Sequence, residues 1–352
     1  MNQYLDLEKI YNSISEAIAK LDFELLWEGF KPLKFALYND DECYFNGHYI
    51  EKQSDFCANT AIEFQGELIA IWRVDEELNI PVFTSKIVHE MFHAFQKTQG
   101  WNCFPKEMEA LYKYRYEEEN LSLKLHENKL LLDLLDGYDQ DKYKELLNCR
   151  KYRKEKFPYE FSYECSGEEI EGSANYVEWQ VLKQLDNVDA DNMIEEMRKV
   201  MLSPEYFFPI RISGYYTGAL LINAMIQAKD YHYAPNDRPV IVQRLFSVSL
   251  INEVIGLNGD EREKVSLAIE TFYQELKRII ETSVKNGEVI LIGPYEMVSV
   301  NIYDARYYDG FLTSRFFLMY MDKGETKEIR NNCVIKMADE KTIEKVYRWV
   351  SE

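Results

Sequence analysis

At 352 residues, with 46% of them apolar and 29% charged, the chain is long enough to bury one or two sizeable cores and too apolar to stay disordered. Its 61 acidic residues outweigh 41 basic ones for a formal net charge of -20, which repels phosphate backbones and anionic lipid surfaces and argues against nucleic-acid and membrane partners. The six cysteines form no C-x-x-C pair and read as reduced thiols; with no leader-like segment and no apolar run of ~18 residues, the cytoplasm is the expected compartment.

Residues 4 to 29 carry Leu5, Ile10, Ile14, Ile18, Leu21, Leu25 and Leu26 at helical spacing, which predicts an amphipathic N-terminal helix. The runs LKFALY, ECYFNGHYI, NTAIEF and ELIAIWRV then predict a small, mainly antiparallel sheet over 32 to 75, with turns at Asn39-Asp40-Asp41 and Gln65-Gly66. Pro81 opens a helix that runs to about Thr98 and stops at Gly100. Residues 105 to 157, dense in Lys, Glu and Leu, predict a charged helical hairpin that reads as an insertion. Helices follow over 164 to 185, 191 to 202 and from about 214, with more up to Gly287. Beyond it, EVILIG, EMVSVNIY, FLTSRFFLMYM and EIRNNCVIKM predict strands separated by Gly-Pro, Asp-Gly and Lys-Gly turns, closed by a short terminal helix.

The chemistry concentrates in SKIVHEMFHAFQ, where His89 and His93 stand at positions i and i+4 of the predicted helix. That spacing puts two imidazoles on one face, about 6 Å apart, so that both can reach one metal. Zn2+ suits nitrogen and carboxylate donors, and Glu90, about 100° round the helix, can reach the attacking water without ligating. The competing interpretation is a pair of core histidines satisfied by hydrogen bonds.

A catalytic zinc needs a third protein ligand and an open position. A histidine six residues beyond His93 would serve, but Gln99 stands there, and His48, His126 and His232 are poorly placed. EEIEGSANYVEW offers Glu168, Glu169, Glu171 and Glu178. Glu171 is preferred because Asn175, at i+4, shares its helix face and can hydrogen-bond a ligand histidine.

HEMFH, Glu171-Gly172-Ser173-Ala174-Asn175-Tyr176 and Tyr215-Tyr216-Thr217-Gly218-Ala219 occur in this order, and together they resemble the gluzincins, the thermolysin-like and aminopeptidase N-like zinc peptidases. The resemblance covers roughly residues 60 to 230. It implies His89, His93 and Glu171 as zinc ligands, Glu90 as general base and Tyr215 as oxyanion donor, with Tyr216 as its rival. The interval from HEMFH to Glu171 exceeds the family's usual gap, which fits if the 105 to 157 hairpin is inserted between the two helices. No G-x-M-E-N stretch precedes the active-site helix, which argues against strict aminopeptidase action. IAIWRVDEELN takes the place of the substrate-aligning edge strand, with strand 68 to 74 expected to pair with the substrate.

The expected fold class is therefore α+β: a mainly helical zincin-like catalytic core with an N-terminal, mainly antiparallel sheet and a small C-terminal β domain. Its expected parts are residues 1–100, the inserted hairpin 101–160, a helical subdomain 161–287 carrying the third ligand, and the β-rich 288–352. The expected activity is zinc-dependent hydrolysis of a peptide or protein substrate. Two alternatives stay open: a zinc-binding protein without proteolytic activity, and a metal-free interaction protein.

Overall fold

The computed structural model describes residues 6–75, 79–230 and 258–350. Its architecture is α+β. The N-terminal pattern forms two helices, α1 (Leu7–Ile18) and α2 (Phe23–Leu26), in place of the single one expected. Asp22 interrupts the apolar series as a second N-cap, its carboxylate accepting the Leu25 N–H at 3.3 Å.

Five strands follow: β1 (Phe35–Tyr38), β2 (Cys43–Phe45), β3 (His48–Ile50), β4 (Thr60–Phe64) and β5 (Glu67–Arg73). They form one sheet in the order β3-β2-β1-β5-β4, antiparallel except for the β1–β5 pair. ECYFNGHYI is two strands, because Asn46 and Gly47 take φ of 52° and 87° and close a two-residue hairpin between Phe45 and His48. Gln65-Gly66 closes the β4–β5 hairpin in the same way. Since β5 is paired on both sides, the expectation that strand 68 to 74 receives a substrate strand is corrected; β4 and β3 are the outer strands.

Helix α3 (Ile80–Thr98) has Pro81 in its first turn and Gly100, at φ 69°, just past its end. Its apolar face, including Ile87, Val88, Met91 and Phe92, is buried in the main core and packs on α1, β5 and α8.

Helices α4 (Glu107–Lys113), α5 (Glu118–Asp136) and α6 (Gln140–Lys156) occupy the expected insertion. The α5–α6 hairpin is present, but it is no solvated arm. Leu130, Leu131, Leu134, Tyr143 and Leu146 join the same core as Phe92. Its charges turn inward too: Lys124, Arg150 and Arg153 meet Glu127, Glu164 and Glu168, all six side chains buried. Three cations balance three carboxylates, which is what allows such groups to leave water.

The predicted helix 164 to 185 belongs to a longer rod. It consists of α7 (Pro158–Gly167), a π-helical turn (Glu168–Gly172) and α8 (Ser173–Leu185). Helices α9 (Asn187–Met201), α10 (Arg211–Gln227) and α11 (Gly259–Asn286) follow. The further helices expected before Gly287 fall partly on 231–257, outside the described residues.

The second sheet comprises β6 (Val289–Val300), β7 (Arg306–Tyr308), β8 (Phe311–Ser314), β9 (Leu318–Asp322), β10 (Glu325–Ile329), β11 (Cys333–Met337) and β12 (Thr342–Arg348). All its pairs are antiparallel, in the order β10-β9-β6-β12-β11-β8-β7, and it has its own apolar core. Two expectations fail here. The expected terminal helix is strand β12, whose Ile343, Val346 and Tyr347 are buried although Lys and Glu alternate with them. The expected Gly-Pro turn lies inside β6, where Gly293 and Pro294 form a bulge opposite Glu344.

Candidate metal centre

Helix α3 and the π turn bring together the residues that the motifs single out. His89 Nε2 lies 3.1 Å from His93 Nε2, and Glu171 Oε2 lies 3.2 Å from His93 Nε2 and 3.8 Å from His89 Nε2. Four donors around zinc at ~2.0–2.1 Å in tetrahedral arrangement would stand about 3.3 Å apart. The three separations bracket that value, and the group fits a metal.

The opposite sides of both rings are held. His89 Nδ1 donates to Glu178 Oε2 at 3.0 Å, and Glu178 Oε1 faces Lys86 Nζ at 3.6 Å. His93 Nδ1 donates to Gln96 Oε1 at 2.8 Å. The orientation of that amide is fixed by its nitrogen, which donates to the Ile170 carbonyl at 2.8 Å and to Ser173 Oγ at 2.9 Å. With both Nδ1 atoms protonated, the neutral rings offer two Nε2 lone pairs beside a carboxylate oxygen. Three acceptors facing one point repel unless a cation sits among them. The bare protein meets that need with a proton. Burial lowers the His89 pKa, but the Glu171 and Glu178 carboxylates outweigh it and raise it to about 10.

Glu171 owes its aim to the π turn. Three residues apart in an α-helix, Glu168 and Glu171 would share a face, yet Glu168 enters the buried ion network while Glu171 meets the histidines. The wider turn separates them; π turns of this kind are common at functional sites. On its other oxygen, Glu171 accepts from Arg211 Nη2 at 3.0 Å.

Arg211 Nη2 also donates to the Tyr215 hydroxyl oxygen at 3.0 Å, and Nη1 pairs with Glu107. The Tyr215 ring stacks on His89 at 6.4 Å between centroids and 14° between planes. Burial and the Glu171 charge push Tyr215 well above the ordinary phenol range, so it keeps its proton. Tyr216 lines the same cleft, but Tyr215 is the one stacked on His89.

A cleft of about 880 Å³ opens over these groups, bounded by Thr60 and Trp72 from the first sheet, Met193 from α9 and Tyr303 from the second sheet. Glu90 lines it, and its carboxylate makes no hydrogen bond among the described residues. Asn175 lines it as well, but its amide donates to the Tyr215 carbonyl at 3.3 Å. The hydrogen bonds expected of it go to Glu178 and Gln96 instead. Gln96 sits one turn beyond His93, a spacing that would have revealed it, and Arg211 sits one turn before Tyr215. Tyr303 left no such signal. His48 bonds the Asn46 carbonyl and His126 bonds Glu145, both away from the cleft, while His232 lies outside the described residues.

Two other hollows, of about 650 and 460 Å³, lie beside α11, and neither is lined by His89, His93 or Glu171. No helix among the described residues is long and apolar enough to cross a membrane. Comparison with protein-family models, with curated proteins and with solved structures returns no match for this chain.

Proposed function

We propose that this chain is a zinc-dependent peptidase with a zincin-like core, in which His89, His93 and Glu171 hold the metal. The observation that carries this reading is the convergence of three acceptor atoms within 3.8 Å, with both histidines fixed from behind by Glu178 and Gln96. Zinc held by such donors supplies Lewis acidity toward water and a scissile carbonyl.

The remaining work falls to the chain's own side chains. Glu90 faces the cleft beside His89, where its carboxylate takes a proton from the attacking water and returns it to the departing amine. Tyr215 donates its O–H to the oxygen on which negative charge develops. Arg211 already fills an acceptor position of that hydroxyl, so its proton is free to point into the cleft. One such donor contributes about 2.7–4 kcal/mol in comparable sites. An extended peptide fits along the outer strand β4, whose Thr60 borders the cleft, and would gain main-chain hydrogen bonds there. A strongly acidic protein offers little to nucleic acid, and a cytoplasmic setting agrees with the free thiols of Cys43, Cys149, Cys165 and Cys333.

The test combines elemental analysis of the purified chain with hydrolysis of a mixed peptide library read by mass spectrometry, before and after chelation. Bound zinc and cleavage that chelation abolishes and zinc restores are expected. A chain that takes up no zinc overturns the metal site; one that holds zinc and cleaves nothing overturns the peptidase.

A further inference from the structure

We infer that Tyr303, carried by the C-terminal sheet, is a positioning residue of this metal site, its ring capping Arg211 so that Arg211 can hold Glu171 and Tyr215. The inference rests on the zinc-site reading above and makes the second sheet part of the active site.

Tyr303 stands in the turn between β6 and β7, which is pinned at several points. Asn301 Oδ1 accepts the Tyr303 N–H at 3.3 Å, and the Ala305 N–H donates to the Asn301 carbonyl at 2.8 Å. The Asp304 carboxylate accepts the Arg315 N–H at 3.1 Å. Arg306 reaches across to the Phe208 carbonyl, just ahead of α10, at 2.5 Å. The turn is thus fastened both to its own sheet and to the segment that launches α10.

From that turn the Tyr303 ring lies over the Arg211 guanidinium, with its centroid 4.9 Å from Cζ, while the Tyr215 ring lies 5.6 Å away. Tyr303 is 53% exposed, yet the Arg211 side chain beneath it is only 8% exposed. The tyrosine stands between the guanidinium and water. Arg211 Nη2 divides itself between the Glu171 and Tyr215 oxygens, each at 3.0 Å. Such bonds strengthen when water is excluded and weaken when water competes, and the attraction of a cation to a ring follows the same rule. The ring carries this role. The Tyr303 hydroxyl is 3.5 Å from that of Tyr215, the outer limit of a hydrogen bond.

The experiment compares wild type with Tyr303→Phe and Tyr303→Ala by three readouts. Phenylglyoxal labelling of Arg211 in the metal-free protein, mapped by mass spectrometry, reads the cap directly and needs neither zinc nor turnover. Arg211 should be protected in wild type and Tyr303→Phe and labelled in Tyr303→Ala. Zinc affinity by chelator competition should fall about tenfold in Tyr303→Ala alone. In steady-state peptide hydrolysis the same variant should lose about tenfold in kcat with KM nearly unchanged, and Tyr303→Phe should match wild type. Protection of Arg211 in Tyr303→Ala, or equal impairment of the Phe and Ala variants, overturns the inference. If wild type binds zinc but cleaves no peptide, the peptidase fails on its own, and labelling and zinc affinity still decide the role of Tyr303.

Discussion

Gly218 of α10 and Gly172 of the π turn meet backbone to backbone: a Cβ at Gly218 would lie 2.7 Å from the Gly172 Cα and 2.4 Å from the Glu168 carbonyl oxygen. Only two helices without side chains at the crossing can approach this closely. The crossing explains why Arg211, earlier on α10, reaches Glu171 while it also holds the Tyr215 hydroxyl. It also gives a steric reason for the glycines in Glu171-Gly172 and in Tyr215-Tyr216-Thr217-Gly218-Ala219.

Gly218→Ala should therefore push α10 off the π turn. Overpacking of this sort costs about 1–3 kcal/mol, to be read by urea unfolding, and zinc affinity should drop with it because Arg211 loses its hold on Glu171. An Ala variant as stable as wild type, with the same zinc affinity, would show that the crossing is slack.

Glu90→Gln tests the general base. The amide keeps the shape but cannot accept the proton, so zinc content should stay unchanged while kcat falls about 10²–10⁴-fold. Tyr215→Phe, which deletes only the hydroxyl, should lower kcat about 10²-fold with KM nearly constant. Zinc analysis beside steady-state kinetics checks both. Full turnover by Glu90→Gln would remove that residue from the mechanism.

The partners behind the histidines should govern affinity for the metal. Glu178→Gln removes the charge that orients His89, and Gln96→Leu removes the acceptor that orients His93. Each should weaken zinc binding about 10–100-fold in chelator competition. Gln96→Leu also removes the buried bonds that its amide gives to the Ile170 carbonyl and Ser173 Oγ, so its thermal midpoint should fall more than that of Glu178→Gln. Zinc affinity indifferent to both substitutions would mean that the rings are held by their helix alone.

What the sequence reveals about the site is what helical periodicity encodes. His89, Glu90 and His93 follow from spacing within one helix, and Glu171 and Tyr215 from short motifs. Relations across elements are a different matter. Nothing in TSRFFLMYM or VNIYDARYY announces that Tyr303 will cover Arg211, because that contact is set by how the second sheet docks on α10. The Lys- and Glu-rich stretch of α5 and α6 misleads for a related reason. Periodicity counts charges as solvated, and Lys124, Glu127, Arg150 and Arg153 are buried only because Glu164 and Glu168 arrive from another helix to neutralise them. β12 reads as a helix because Glu344 and Lys345 suit one, whereas its strand state comes from pairing with β6 and β11. The N-G dipeptide at Asn46 was legible as a hairpin turn, and it splits what the apolar pattern alone joins.

That buried network should control acid stability. Burial alone would push Glu164 and Glu168 up, but Arg150, Arg153 and Lys124 outweigh it and hold both carboxyls below the usual carboxylate range. Glutamate in the unfolded chain titrates near ~4.3, so folding is favoured by these two groups fully above that value. Their contribution drains away as the pH falls through their lower folded-state values. Lys124 behaves oppositely. Desolvation lowers its pKa, yet Glu168 and Glu164 raise it above the ordinary lysine value. Its share is complete below ~10.4 and is lost as the pH rises through the folded-state value. The network's contribution is thus level through neutrality. Urea unfolding from pH 7 down to 3 should show stability falling below about pH 4, with each linked carboxyl adding up to ~1.4 kcal/mol per pH unit. Glu168→Gln removes one of these groups and leaves Arg150 and Lys124 undercompensated, which should cost about 3–5 kcal/mol at pH 7. Its stability curve should then descend less steeply in acid than that of wild type. Parallel acid limbs for the two proteins would mean that other carboxyls, and not this buried cluster, set the response.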